Sequence, residues 1–310
     1  MSYFTATTSK REWQCDALAV KDTMWSFCPN LRAADVFAVL FGLTTLTHLV
    51  QAIIYKKPYC WVIVASGMAQ TLAYVLRILS ILNPASFGFY AGWFVLILVA
   101  PLFTNAFVYM VMGRMIWNYV PEKKIHRVTA WRFGMYFVVL DVCALVIQII
   151  GAVQATGENT TTKQVLRGLH MYMGGVGVQL GFILLFLFFA VKFHRIVRQQ
   201  NSTSFGSPGL THALILLYNL YTVLGFIILR IIFRLIEYAQ GLDSGIPNKE
   251  GYQYGLDSLP MLIALVLLDA FHPGRIMKGE ESDIPSRKER KLAGVASKST
   301  TRTTETMEMV

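Results

Sequence analysis

The chain has 310 residues, of which 55% are hydrophobic and only 15% are charged. Soluble proteins have on average about a quarter charged residues, so this composition argues against a soluble globular protein. The apolar residues also stand in blocks of about twenty or more, the length that an α-helix needs to cross roughly 30 Å of hydrocarbon. The sequence therefore indicates an integral membrane protein.

Seven apolar blocks follow one another along the chain. They predict spanning helices at residues 33–55, 60–82, 90–117, 133–154, 172–194, 210–236 and 252–271. Short polar stretches containing Pro, Gly, Asn and charged residues separate the blocks, as expected of turns at the membrane edge. Tyr and Trp residues, Trp93 among them, collect near the block ends, where their rings suit the headgroup layer. We therefore predict an all-α fold, a seven-transmembrane-helix bundle.

The distribution of Lys and Arg predicts the orientation of the bundle. Outside the spans, 17 of these residues fall on the side of the C-terminus and 7 on the side of the N-terminus. Cytoplasmic loops retain positive charge during insertion, so we expect the N-terminus outside and the C-terminus in the cytoplasm. The net charge of +10 is mostly this asymmetry. It is therefore no indication of a nucleic-acid partner.

Three regions follow from this organisation. Residues 1–32 form a polar extracellular segment that lacks the apolar core of a signal peptide. Residues 33–274 form the membrane domain. Residues 275–310 are rich in Lys, Arg, Ser, Thr and Glu and poor in large apolar side chains, so we expect a disordered cytoplasmic tail.

Two covalent modifications are predicted on the outer side. Asn159 begins an Asn-Thr-Thr sequon in a predicted outside loop, whereas the sequon at Asn201 falls in a predicted inside loop. Only Asn159 is therefore expected to carry a glycan. Cys15 and Cys28 share the extracellular segment and are candidates for a disulfide.

Ionisable side chains within the spans form two layers. Each such residue costs at least about 2.5 kcal/mol to insert, so we expect it to face the protein interior and to have a partner. Arg230, Arg234 and Glu237 lie on one helix face because residues i, i+4 and i+7 are close in angle. A structural ion-pair network and a binding site for an amphipath's headgroup are both compatible with this pattern. The outer layer, our candidate substrate site, comprises Arg77, Arg230, Arg234, Glu237, Glu250 and Asp257.

The inner layer comprises Arg114, Asp141 and Asp269 and is a candidate proton or ion site. Arg114 lies near a span end, where a long side chain can also extend to the interface. Asp141 is deeper, so it either pairs with an arginine or keeps its proton, because an ionised carboxylate is costly in an apolar interior.

Uncharged polar residues lie between the two layers. They form a candidate polar pathway, although most such groups make interhelical hydrogen bonds worth about 0.6 kcal/mol. Pro101 and Pro260 lie within spans and each frees a backbone carbonyl, so we expect kinks there. The pathway residues are Asn105, Gln148 and Gln179.

Several catalytic motifs are absent from the sequence. It has no Gly-Lys-Ser/Thr phosphate loop, no lysine in the seventh span for a retinal Schiff base, no metal-ligand spacing of histidines and no Gly-x-Ser-x-Gly elbow. We therefore expect neither a cofactor, nor a metal, nor enzymatic activity.

A series of short elements runs in order through almost the whole membrane domain. These are Tyr55 with Pro58; Arg77; Ala100-Pro101; Tyr109; Gly113-Arg114; Asp141; Gln148 with Gly151; Gly174 with Gly177 and Gln179; Phe193; Arg230, Arg234 and Glu237; Glu250 with Tyr254 and Asp257; and His272-Pro273-Gly274. As an ordered set, they resemble the fungal lipid-translocating exporter family, the resistance-to-aminocholesterol type of seven-span membrane proteins.

The resemblance implies a plasma-membrane protein that handles amphipathic molecules. Members are linked with release or translocation of sphingoid long-chain bases, with tolerance of lipophilic toxins and, in one branch, with porphyrin or haem-related uptake. We therefore predict a transporter or translocase of lipid-like amphipaths that does not use ATP, with membrane lipids or amphipathic small molecules as partners. Two alternatives remain: a seven-helix sensor or receptor that regulates lipid asymmetry or stress responses without transport, and a scaffold whose charges serve only helix packing.

Overall fold

The computed structural model describes residues 16–156, 161–203, 208–239, 249–277, 279, 282–286 and 288–289. Within them, seven helical segments are long and apolar enough to cross a membrane. This confirms the prediction of an all-α protein with seven spans. We call the two ends of the bundle outer and inner according to the orientation predicted above.

A short helix, α1, precedes the spans, and six of the spans are single α-helices. The seventh span is composite, because a π-helical turn separates two α-helical pieces, and a further short helix follows it. The helices are α1 (Asp16–Ala19), α2 (Leu31–Tyr55), α3 (Cys60–Leu82), α4 (Phe87–Tyr119), α5 (Ala130–Thr156), α6 (Thr162–Thr203), α7 (Pro208–Ala239), α8 (Glu250–Gln253), the π turn Tyr254–Ser258, α9 (Leu259–Ala270) and α10 (Pro273–Ile276).

The largest difference from the predicted boundaries is in the fifth span. Its helix α6 has 42 residues and begins ten residues before the predicted start at residue 172. At 1.5 Å per residue it is about 60 Å long, roughly twice the hydrocarbon thickness. Hydropathy marks only the part of a helix that meets lipid, so the polar ends of α6 were missed.

Consecutive spans are neighbours, and α9 also contacts α2 and α7, which closes the bundle. The third span, α4, is the most buried of the seven, and the first span, α2, is the least buried. Between α4 and α5 the chain forms a two-stranded antiparallel hairpin of β1 (Lys124–Ile125) and β2 (Val128–Thr129), which the sequence did not predict.

The extracellular segment packs onto the outer end of the bundle through Trp25. Its indole is buried, stacks on Trp93 at 5.4 Å between ring centroids, and donates from Nε1 to the Ser80 carbonyl at 3.2 Å. Asn30 then caps α2, because its Oδ1 accepts the backbone N–H of Ala33 at 3.1 Å. The segment is therefore anchored before the first span begins.

Neither predicted modification is settled by this structure. Cys28 is disulfide-bonded, but Cys15 lies outside the described residues, so the pairing of the two stays a prediction. Asn159 also lies outside the described residues, and its glycan stays a prediction.

The beginning of the predicted tail is packed against the inner end. Lys57 Nζ donates to the Gly279 carbonyl at 2.6 Å and to Ser282 Oγ at 3.0 Å, and it pairs with Asp283 Oδ2 at 2.8 Å. This contact narrows the prediction of a disordered tail that starts at residue 275. Residues 290–310 lie outside the part of the chain that the structure describes.

Helices α5 and α6 approach closely at glycines. A Cβ on Gly151 would lie 2.4 Å from the Tyr172 nitrogen and 2.8 Å from the Gly168 carbonyl oxygen. Of the four glycines Gly174, Gly175, Gly177 and Gly181, on which the sequence placed a close helix approach, only Gly175 has a crowded Cβ position, 2.8 Å from Gln148 Cγ. The close contact therefore depends mainly on Gly151 and Gly168.

We expect Gly151→Ala to destabilise the bundle, because the added methyl group forces α5 and α6 apart. Overpacking of this kind costs about 1–3 kcal/mol, so the melting temperature of the purified protein in detergent should fall. Gly181→Ala is the matched control, since the Cβ position there is open. The control should be neutral or gain up to about 1 kcal/mol of helix propensity. Equal melting temperatures for the two variants would contradict this account.

Candidate functional site

The predicted outer layer is buried and paired. The side chains of Arg77, Arg230, Arg234, Glu237 and Asp257 are each 6% exposed or less. All six predicted residues are in ion pairs, but they divide into two clusters. We call them the Asp257 cluster (Arg230, Arg234, Glu237, Asp257) and the Arg77 cluster (Arg77, Glu250, Gln253, Tyr254).

In the Asp257 cluster one carboxylate binds two arginines of the neighbouring span. Asp257 Oδ1 lies 2.6 Å from Arg230 Nε, and Oδ2 lies 2.6 Å from Arg234 Nη2. Arg234 Nη1 also pairs with Glu237 Oε2 at 2.9 Å, one turn further along α7. The predicted charged face of the sixth span therefore meets the seventh span.

The π turn positions Asp257 for these contacts. Pro260 has no N–H, so the chain cannot make the ordinary α-helical hydrogen bond at that point. The Leu259 N–H instead bonds to the Tyr254 carbonyl, five residues back. The predicted kink at Pro260 is thus a widened turn of the kind often found at functional sites. On the same turn, Ser258 accepts a hydrogen bond from the Tyr74 hydroxyl.

Arg230 also compensates for the second proline. The helix α4 continues through Pro101, which cannot donate to the Ile97 carbonyl four residues earlier. Arg230 Nη2 donates to that carbonyl at 2.9 Å. A buried carbonyl that Pro101 frees is therefore paired by a guanidinium from the sixth span, which links α4 to the Asp257 cluster.

The Arg77 cluster joins the second span to the start of the seventh. Arg77 donates to Glu250 Oε1 at 2.7 Å, to Gln253 Oε1 at 3.0 Å and to the Tyr254 hydroxyl at 3.1 Å. Its guanidinium carbon also lies 4.4 Å from the centroid of the buried Trp93 ring. The sequence predicted membrane anchoring for this tryptophan, and that prediction is wrong because the ring instead contacts a buried cation.

The Arg77 cluster extends to the extracellular segment. The second oxygen of Glu250 accepts the Asn30 backbone N–H at 2.8 Å, and the Trp25 ring centroid lies 5.1 Å from the Arg77 guanidinium carbon. Sequence reasoning missed Gln253, Trp25 and Asn30. Their proximity depends on how the segment before the first span folds, and no pattern in the sequence reports that.

The three residues of the predicted inner layer share no partner. Asp141 accepts hydrogen bonds on Oδ2 from Asn105 Nδ2 and the Tyr109 hydroxyl, both at 2.9 Å. Among the described residues no cation lies within 4 Å of it, and its Oδ1 is buried without a hydrogen-bond partner. Pairing with an arginine, one of the two alternatives for Asp141, is therefore not observed.

Asp269 and the pathway glutamines make separate contacts. Asp269 Oδ1 lies 3.0 Å from Nδ1 of the buried His48, and its Oδ2 accepts from Thr47 Oγ1 at 2.6 Å. Gln148 Nε2 donates to Gln179 Oε1 at 3.0 Å, which is the interhelical hydrogen bond expected of such groups. His48 was predicted only as one of several buried polar residues, and no spacing indicated its pairing.

An apolar cavity of about 230 Å³ lies beside the two charged clusters, between the third, fourth and fifth spans. Its rim residues Phe87, Val95 and Val153 are exposed on the surface of the bundle that lipid covers. The polar residues in its lining are Tyr90 and Tyr172. We call it the outer pocket.

The two tyrosines connect the outer pocket to the charges. Tyr172 lies within coulombic range of Arg234 and Glu237, and Tyr90 within coulombic range of Arg77 and Glu237. No charged residue of either cluster lines the pocket itself. The expected chamber is therefore adjacent to the charges and does not lie among them.

These features define a polytopic α-helical membrane protein with a charge-balanced ion-pair network beside a pocket open to lipid. The family model described as RTA1 like protein matches residues 63–280. The chain therefore belongs to the RTA1-like family, which confirms the resemblance found in the sequence.

Relatives of the chain have names that refer to lipids. Probable lipid transporter atnI of Emericella nidulans is 37% identical, over 84% of this chain and 70% of that protein. Sphingoid long-chain base transporter RSB1 of Saccharomyces cerevisiae is 26% identical, over 88% of this chain and 79% of that protein. Protein RTA1 of Saccharomyces cerevisiae is 29% identical, over 64% of this chain and 61% of that protein. No solved structure matches the chain.

We expect Asp257→Asn to destabilise the protein strongly, because it leaves two buried arginines without their shared carboxylate. Removing one partner of a buried pair typically costs about 3–5 kcal/mol. Thermal unfolding of the purified protein and its level in the membrane would both report the loss. Glu122→Gln is the control, since that carboxylate is 71% exposed in a surface pair with Lys124. A melting temperature equal to that of the control would show that the cluster does not hold the spans together.

Proposed function

We propose that this protein transports lipid-like amphipaths, such as sphingoid long-chain bases, at the plasma membrane, without ATP hydrolysis and with its N-terminus outside. The observation that carries the proposal is the outer pocket beside the two charged clusters. A pocket open to lipid admits an alkyl chain directly from the bilayer, and the neighbouring charges meet the polar end of the same molecule. The names of the relatives atnI and RSB1 support a substrate of this class.

Glu237 is the acid that best suits a cationic headgroup. A long-chain base carries an amine, which pairs with carboxylates. Asp257 is bound by two arginines, whereas Glu237 pairs with one and lies near the outer end of α7. Both pocket tyrosines are within coulombic range of Glu237. An amine at the inner wall of the pocket therefore approaches Glu237 first.

Charge balance makes binding at this site reversible. The two clusters contain three arginines and three carboxylates, so an entering amine displaces an arginine and does not meet an unpaired acid. A buried ion pair contributes little net free energy, because desolvation offsets most of the attraction. Exchange of Arg234 for a substrate amine on Glu237 therefore needs only a small change in free energy, as transport requires.

Asp141 is the candidate proton site for coupling. Its carboxyl is fully buried, has neutral hydrogen-bond donors on one oxygen and has no hydrogen-bond partner on the other. Such a group exists more readily with its proton than as an anion, since no cation stabilises the charge. We assign no coupling role to Arg114 or Asp269, because they share no contact with it.

Purified protein in liposomes should move a fluorescent long-chain base without any partner protein. Glu237→Gln should reduce this flux about 10- to 100-fold, the equivalent of the 1.5–3 kcal/mol of a hydrogen bond to a charged group. Glu122→Gln should leave it unchanged. Asp257→Asn is a poor test, because it also breaks two structural ion pairs. Absence of flux in the unsubstituted protein would favour the sensor or receptor alternative, and normal flux in Glu237→Gln would remove Glu237 from the site.

A bulky side chain in the outer pocket should impair transport of long alkyl chains. Ala91 lines the pocket, so Ala91→Phe fills part of its volume. We expect flux of an 18-carbon base to fall several-fold in the liposome assay, with a smaller effect on a short-chain analogue. Val39→Phe adds an aromatic ring at a position that is 61% exposed on α2 and outside the pocket, and it should have no effect. Equal loss for long and short chains would contradict a role in chain binding.

A further inference from the structure

A second cavity lies at the inner end of the bundle, between the third and fourth spans. It is a groove of about 410 Å³. Met135 and Val139 form part of its wall and are more than half exposed, so the groove opens towards lipid. Ile284, just after the last span, lines it from the inner side. We call it the inner groove, and its charged lining residue is Arg114.

Arg114 differs from the three arginines at the outer end. Each of those has a carboxylate within 3 Å. Arg114 has none within 4 Å among the residues that the structure describes. Its Nη1 donates to the Met110 carbonyl at 3.1 Å, its guanidinium carbon lies 3.8 Å from the Tyr59 ring centroid, and its Nε is buried without an acceptor. A cation at the wall of the groove therefore lacks a counter-charge.

The neighbouring charges do not neutralise Arg114. Asp283 is the nearby acid after the last span, and Lys57 Nζ pairs with it at 2.8 Å. That pair is balanced by itself. The same lysine holds Ser282, and Asn118 Nδ2 donates to the Ser282 carbonyl at 3.0 Å. These contacts fix the adjacent Ile284 as a wall of the groove and leave the charge of Arg114 over.

We propose that the inner groove binds an anionic glycerophospholipid, with the phosphate on Arg114 and an acyl chain along Met135 and Val139. A guanidinium matches a phosphate through parallel hydrogen bonds, and Arg114 has donor capacity in the groove that the protein does not use. The apolar wall suits a chain, which a free phosphate ion lacks. Basic residues around the inner end, such as Arg132, raise the local concentration of anionic lipid but do not select a site.

The test is native mass spectrometry of the purified full-length protein with added phosphatidic acid. We expect Arg114→Gln to lower the apparent affinity at least 10-fold and Arg114→Lys to lower it less. Arg132→Gln removes the same charge from an exposed position on α5 and should change the affinity less than twofold. Phosphatidylcholine should bind more weakly than phosphatidic acid, and millimolar inorganic phosphate should not displace the lipid.

A second variant keeps the proposal testable in case Arg114→Gln does not fold. Val139→Trp fills the groove at a residue that is 54% exposed and leaves Arg114 in place, so it should also reduce binding of phosphatidic acid. Equal losses in Arg114→Gln and Arg132→Gln would show attraction to basic surface alone. That result, displacement by inorganic phosphate, or unchanged binding in both groove variants would overturn the proposal.

Discussion

The bidentate contact of Asp257 with Arg230 and Arg234 determines the arrangement of the outer half of the bundle. It joins the sixth and seventh spans, and through the Ile97 carbonyl that Pro101 frees it also reaches the third. Such buried pairs add little net stability but are costly to break. The interaction therefore selects one register of three helices. A helix slipped by one turn would bury three charges without partners.

The sequence predicted the members of this layer but not their connections. Helical spacing placed Arg230, Arg234 and Glu237 on one face, because that relation lies within a single helix. The choice of Asp257 as the shared acid of two arginines depends on contacts between spans and on the π turn. Hydropathy and periodicity carry no information on either. The proline at residue 101 indicated a free carbonyl, yet nothing in the sequence identified a guanidinium four spans away in the chain order as its partner.

The inner half shows that similar depth does not imply contact. Asp141 and Asp269 each have their own neutral or histidine partners, and Arg114 lies on a tyrosine ring. One family element at this end does have a steric explanation. A Cβ on Gly274 would lie 2.8 Å from Tyr55 Cγ, while the His272 ring stacks on Tyr55 at 4.8 Å. The small residue after the seventh span therefore lets the first span's tyrosine pack against the histidine.

The outer pocket and the inner groove lie along the same pair of helices, α4 and α5, one at each end. Leu98 and Ile149 line the pocket, Met110 and Val139 line the groove, and the buried carboxyl of Asp141 lies between them in the chain of α5. The charges differ at the two ends, since the outer clusters are balanced whereas Arg114 is not. A cationic and an anionic amphipath would therefore prefer opposite ends of one seam. For the proposed transport, this seam is the part of the bundle that offers apolar contact at both membrane depths and a buried polar group between them.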